Sequence, residues 1–148
     1  MSIIVHTMTA QDENYVLPRV ALFYQSDAVD HTVPVEILRE TFEHAVSDDP
    51  LIEGFILEDD CGQRLGYAYI THLFASEAGK CIMIEEVYID PDKRGNGYGK
   101  AFFDWLFAAY PETARFRLEV TPENPRAQKL YERMGFTVLD YRQMIRGR

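Results

Sequence analysis

Three glycines at alternate positions, Gly95, Gly97 and Gly99 in "RGNGYGK", constrain this chain more than any other feature, because a β-forming run precedes them and a helix-period run follows. Glycine frees the backbone from the limits that a Cβ imposes, so consecutive N–H groups can turn towards one side. Those groups join the unpaired donors at the start of the helix, and the strand–loop–helix order predicts an anion nest. Arg94 and Lys100 flank it. A macrodipole effect of roughly 0.3–1 kcal/mol does not hold a ligand alone. Several convergent amides with two cations can grip a diphosphate.

Two familiar glycine loops fail here. A P-loop needs G-x-x-x-x-G-K-[ST], but Arg94 stands at the first glycine and Ala101 at the Ser/Thr position. A dinucleotide fingerprint spaces its glycines G-x-G-x-x-G, early in a βαβ unit. This chain has G-x-G-x-G, late in a series of strands.

Periodicity orders the rest. Residues 2–8 read as a strand, followed by amphipathic helices near 12–26 and 34–46, the second with Val35, Leu38, Phe42 and Ala45 at helical spacing. Residues 52–76 read as a hairpin around "EDDCGQ", and 80–90 as a long strand ended by Pro91. A helix over 100–110 carries Phe102, Trp105, Leu106 and Ala109 on one stripe, and a strand over 115–120 follows. Asn124 and Pro125 form a cap and first turn, Ala127, Leu130, Tyr131 and Met134 the next stripe, and Gly135 the stop. Residues 136–145 are expected to close the chain as one or two strands. The order predicts an α/β (α+β) fold, a sheet with helices on both faces, in a single domain over 1–148.

Composition narrows the function. With 47% hydrophobic and 13% aromatic residues the chain can fill one substantial core. The net charge of -9 is uneven: residues 1–90 hold 17 acidic against 4 basic side chains, a net of -13, and residues 91–148 hold 7 against 11, a net of +4. An acidic whole argues against nucleic acid as a partner, while the basic half suits a small polyanion. No apolar run or leader pattern predicts a membrane partner, and a cytoplasmic location is expected. Cys61 and Cys81 lie outside any CxxC spacing, and His6, His31, His44 and His72 lack ligand spacing, so no metal is predicted.

The segment "VYIDPDKRGNGYGKAFFDWL" resembles the acetyl-CoA-binding segment of the GCN5-related N-acetyltransferase (GNAT) superfamily, whose signature [QR]-x-x-G-x-[GA] is matched by Arg94, Gly97 and Gly99. "RLEVTPENPRAQKLYERMGF" resembles the family's later segment, with Asn124, Ala127, Tyr131, Gly135 and Phe136 at its intervals. The resemblance covers about residues 82–137. It implies a mixed, largely antiparallel sheet in which a parallel strand pair splays, with the pantetheine arm of acetyl-CoA in the gap. Val87, Tyr88 and Ile89 then offer backbone groups to the arm. Arg94, Gly95, Asn96, Gly97, Tyr98, Gly99 and Lys100 hold the pyrophosphate, and Asn124 contacts the cofactor from the second segment.

The implied reaction is transfer of an acetyl group from acetyl-CoA to a primary amine, by direct attack in a ternary complex. The acceptor is a small-molecule amine, or the lysine or N-terminal amine of a peptide. Family members use a tyrosine at the position of Tyr131 to protonate the departing thiolate, although its apolar stripe equally suits a core residue. Two carboxylates compete as base. Alternation places Glu86 with Ile82, Ile84 and Tyr88, where burial would raise its pKa, and places Glu85 with Met83 and Val87. Glu119 has a spacing from Tyr131 that resembles the ribosomal-protein N-terminal acetyltransferases, yet it shares a face with Arg115 and Arg117 and suits an ion pair. A water-mediated base is a third option. Asp27, Asp30 and His31 fall in the loop that lines the acceptor site in the family, as candidates for cation recognition or as solvated surface. The family also makes a homodimer an expectation that no segment locates. The rival readings are a non-catalytic acyl-CoA-binding sensor or protein-interaction module, and a nucleotide-binding loop.

Overall fold

The computed structural model describes residues 2–29 and 31–148. Strand β1 (Ile4–Thr7) leads to helices α1 (Glu13–Phe23) and α2 (Val35–Ala45), then strands β2 (Ile52–Glu58), β3 (Arg64–Ala75) and β4 (Gly79–Ile89). Helix α3 (Tyr98–Ala109), strand β5 (Arg115–Leu118) and helix α4 (Pro125–Arg133) complete the order. The strands lie in one sheet in chain order, antiparallel from β1 to β4. β4 and β5 are parallel, and α3 supplies the crossover that a parallel pair requires.

Period-2 alternation sends side chains to two cores. Leu57, Leu65, Ile70 and Ile82 meet Phe102, Phe103 and Leu106 of α3 on one face, where Tyr131 and Met134 of α4 also pack. Ile56, Tyr67, Tyr69 and Tyr88 meet Val16 and Val20 of α1 and Phe42 and Ala45 of α2 on the other. The expected mixed sheet with helices on both faces is therefore present. Among the described residues no helix is long and apolar enough to cross a membrane.

Local expectations change in three places. Helix α3 starts at Tyr98, two residues before the apolar stripe suggested, and buries Phe103 while Ala109 stays exposed. Val35 begins α2 and is exposed, so only the later part of that stripe reaches the core. The closing strands do not form: residues 136–148 carry no strand. A strand needs a ladder, and this segment makes none; Val138, Leu139, Tyr141, Met144 and Ile145 remain exposed, with Tyr141 donating to Glu77 (3.1 Å).

Candidate active site

The parallel ladder of β4 and β5 runs only from Cys81–Arg115 to Ile84–Leu118. β5 then ends, two residues short of its expected length, while β4 continues to Ile89 against β3 alone. Over residues 85–89 the β5-facing edge of β4 thus has no strand partner among the described residues. Backbone N–H and C=O groups on such an edge demand another partner. Val87 and Ile89 pack their side chains on the α3-face core and Tyr88 on the α1 face; the Tyr88 carbonyl lies towards Gly66 of β3, and the Ile89 carbonyl accepts from Arg94.

The free edge leads to the glycine loop. Gly95 and Gly97 both have φ of 80°, in the left-handed region that glycine enters without strain. Gly97 caps α3 without a side chain, so the amides of the first turn, Tyr98, Gly99 and Lys100, keep their hydrogens for another acceptor. A Cβ built at any of the three glycines meets nothing within 4 Å, so a ligand can approach the main chain closely. Gly99 itself is an ordinary residue of the first helical turn.

The flanking side chains serve the loop as well as its charge. Arg94 Nε donates to the Ile89 carbonyl (2.8 Å), with its guanidinium 5.2 Å from the Tyr88 ring centroid. Asn96 Nδ2 donates to the carbonyls of Lys93 (3.0 Å) and Arg94 (3.3 Å), and Lys100 Nζ donates to Asp104 (2.8 Å). Tyr98 packs its ring on the α3-face core.

Glu86 sits where the ladder opens. Tyr69 faces Glu86 across the β3–β4 pair, but the next residue, Ile70, faces Ile84, so Glu85 is the extra residue of a β-bulge. This overturns the expected alternation. Ile82 and Ile84 point to the α3 face, whereas Glu86 and Tyr88 point to the α1 face, and Val87, expected with Met83 and Glu85, packs on the α3-face core with Ile82 and Ile84. Glu85 is exposed and accepts from Thr71 Oγ1 (2.8 Å). Glu86 is 5% exposed and accepts from Tyr67 (2.7 Å at Oε1) and Tyr24 (2.8 Å at Oε2). Burial pushes its carboxyl above the usual carboxylate range, the two phenol bonds pull it down, and the charge of Glu85 adds to the rise.

Tyr131 lies across the sheet from Glu86. Its ring packs 5.8 Å from Phe103 and 6.1 Å from Phe136, and burial raises its phenol above the ordinary value. The two candidates therefore lie on opposite faces of the sheet. Asn124 caps α4, its side chain accepting from the Ala127 amide (3.2 Å). Glu119 is exposed just past the end of β5, and Arg115 bonds Glu77 (3.1 Å) instead.

The acetyltransferase (GNAT) family model matches residues 19–136 of the 148. This chain belongs to the GNAT acetyltransferase family. Solved structures share its fold. A possible acetyltransferase from Clostridium difficile 630 superposes with TM-score 0.82 at 16% identity, covering 99% of this chain and 98% of the other. The ribosomal-protein-alanine N-acetyltransferase of Brucella melitensis biovar Abortus 2308 gives 0.75 at 21% identity, covering 99% and 100%. The aminoglycoside N-acetyltransferase AAC(6')-Iy, in complex with a bisubstrate analogue of CoA, gives 0.77 at 15% identity, covering 100% and 99%.

Within this GNAT chain, sequence reasoning missed the tyrosines that hold Glu86 and the clamp beside them. Arg19 of α1 grips Asp90, at the end of β4, with Nε (2.7 Å) and an η nitrogen (3.1 Å), and stacks 3.6 Å from the Tyr15 ring centroid. Burial, then the charge of Asp90, pushes the Tyr15 phenol up to about 12. The clamp ties α1 to the strand that ends at the glycine loop. The signal for the tyrosines was the alternation Tyr67-Ala68-Tyr69 opposite Glu86, legible only once the register of β3 and β4 is known. Of the acceptor-loop candidates, Asp27 and His31 are exposed, and Asp30 lies outside the described residues.

Proposed function

We propose that this GNAT chain is an acetyl-CoA-dependent N-acetyltransferase that acetylates a primary amine by direct attack in a ternary complex. One observation carries the reading: the β4–β5 ladder stops at Ile84–Leu118, immediately before a buried carboxylate, and the edge it frees leads to an uncapped glycine loop.

The loop amides from Gly95 to Lys100 suit the pyrophosphate of the cosubstrate, with Arg94 bracing the loop against β4. Backbone groups of Val87 and Ile89 on the free edge suit the pantetheine arm and the thioester carbonyl, with Tyr88 between them tied to β3. Asn124 orients the start of α4 beside them. Glu86 is favoured over Glu119 as base, because burial raises its carboxyl towards the working pH while Glu119 faces solvent. As the amine nitrogen bonds to the carbonyl carbon, Glu86 takes one of its protons. The C–S bond breaks as the tetrahedral intermediate collapses, and Tyr131, kept protonated by burial, gives its proton to the sulfur. Exchange with solvent restores both groups.

Freeing the lone pair of an alkylamine near ~10.4 costs about 4–5 kcal/mol at neutral pH, whereas an α-amine near ~7.7 costs about 1. A buried base matters most for the first class. The acceptor is a small-molecule amine, or a lysine or N-terminal amine of a peptide, in line with the aminoglycoside and ribosomal-protein enzymes that share the fold. Thiol release from acetyl-CoA, measured over kanamycin, spermidine, a lysine-containing peptide and an alanine-initiated peptide, tests the proposal. Amine-dependent thiol is expected. Tight acetyl-CoA binding without it would leave a binding module and sink the enzyme reading.

A further inference from the structure

The cage around Glu86 holds one hydroxyl that the packing does not explain. Tyr69 is 0% exposed, and among the described residues its hydroxyl has no hydrogen-bond partner. Buried hydroxyls are nearly always bonded. The two neighbouring phenols, of Tyr24 and Tyr67, both donate to Glu86, and Tyr69 alone is left out. Its ring makes an edge contact with Tyr67, centroids 5.3 Å apart, which a phenylalanine would make equally well. Only the hydroxyl lacks a structural reason.

Its position supplies one. Tyr69 is the direct cross-strand partner of Glu86, so the two side chains run next to each other on the α1 face. The Glu86 charge reaches the Tyr69 phenol without a bond forming between them. Tyr24, the residue that closes α1, is half-buried and covers Glu86, whereas Tyr67 is fully buried. Rotation of the Tyr24 side chain alone would release Oε2 of Glu86 on the face that Tyr69 shares.

We propose that Tyr69 is a further substrate-contacting residue, whose hydroxyl oxygen and Glu86 together seat the nitrogen of a primary amine between them once the Tyr24 hydroxyl has left Oε2 of Glu86. The proposal rests on Glu86 being the base. A neutral primary amine has two N–H groups and one lone pair. One N–H donates to Glu86 and the other to the Tyr69 oxygen, which leaves the lone pair for the thioester carbon. When the C–N bond forms and the C–S bond breaks, the first proton passes to Glu86 and the second stays on the amide. A secondary amine has a single N–H and cannot fill both positions, so the seat selects primary amines.

Tyr69→Phe tests this with alanine-initiated and N-methylalanine-initiated peptides and with benzylamine and N-methylbenzylamine. Expected is a loss of about tenfold or more in kcat/KM for the primary amines, a narrower ratio of primary to N-methyl acceptor, and an acetyl-CoA KM within about twofold of wild type. The thermal midpoint should not fall, because no bond to the protein is removed. Amine kinetics within about twofold of wild type, with the primary-to-N-methyl ratio unchanged, would overturn the proposal. So would a drop of several degrees in the midpoint with kinetics otherwise intact, since the hydroxyl would then be structural. Tyr24→Phe, which removes the placeholder bond, should lower the amine KM severalfold; a fall in turnover instead would make Tyr24 a support of the base and refute its placeholder role. If wild type transfers acetyl to no amine of the wider panel, the enzyme reading itself fails, an outcome distinct from an active enzyme indifferent to Tyr69→Phe.

Discussion

The two halves of β4 have opposite surroundings. From Cys81 to Ile84 the strand is laddered on both sides, and Cys81, Ile82 and Ile84 are buried. From Glu85 to Ile89 it is bulged, loses its parallel neighbour and carries a buried carboxylate. The first half meets every demand of a β-strand internally. The second leaves an open edge and a costly charge, features that persist when the surrounding structure or a ligand compensates for them. One strand thus anchors the sheet at one end and works at the other. Substitutions in the second half should act on turnover, and those in the first on stability.

The largest effect is expected at Glu86→Gln, which keeps the shape and removes the base. Turnover should fall roughly 10²–10⁴-fold with an alkylamine acceptor. The same variant reads the carboxyl in the folded state. Burial raises its pKa above the ordinary 4.5, so folding favours the protonated form. Its contribution to stability is then complete below 4.5 and disappears as pH rises through the raised value. The unfolding free energy of wild type relative to Glu86→Gln should therefore decline with pH from 4.5 upward and then level off. A rise would mean that the bonds from Tyr67 and Tyr24 outweigh burial, and the carboxylate would be a poor base.

Tyr131→Phe probes the opposite face of the sheet, with an expected fall of roughly 10²-fold in kcat and little change in the acetyl-CoA KM. Its ring already packs against Phe103 and Phe136, so phenylalanine should preserve the fold. An unchanged rate would reduce Tyr131 to a core residue and leave the thiolate to solvent.

The parts of the molecule that were legible in the sequence are those set by local chemistry. Gly97 at a left-handed helix cap and Asn124 at the start of α4 each act within a few residues; Asn124 caps where its spacing suggested, and Gly97 lies in the expected loop with the helix starting two residues early. The face of Glu86 was illegible for a physical reason. Ile82, Ile84, Glu86 and Tyr88 look like one unbroken alternation, and the bulge that breaks it belongs to the register of two strands. The tyrosine cage was hidden in the same way, since Tyr67 and Tyr69 read as ordinary strand aromatics until Glu86 is placed opposite. Residues 136–145 misled in the other direction: their apolar content suits a strand, but a strand exists only with a partner, and β5 offers a ladder no longer than Arg115–Leu118.

Gly66→Ala should affect the working half through its backbone. A Cβ at Gly66 would lie 1.8 Å from the Tyr88 carbonyl oxygen, and no rotamer change relieves a main-chain clash. The end of β4 must shift, at a cost of about 1–3 kcal/mol in unfolding free energy, and the acetyl-CoA KM should rise with it. Loss of stability with an unaltered KM would show that the position of this end of β4 does not set the affinity for the cosubstrate.

Ile82→Val in the anchoring half gives the smallest effect and the sharpest control. Ile82 is fully buried in the α3-face core and paired with Phe116 across the intact ladder. Removing one methylene should cost about 0.5–1.5 kcal/mol, seen as a lower denaturation midpoint at constant slope. The ladder, which ends at Ile84, separates this site from the bulge, so kcat and both KM values should stay within about twofold of wild type. If turnover falls with stability, the two halves of β4 are coupled through the bulge, and the division between an anchoring and a working end does not hold.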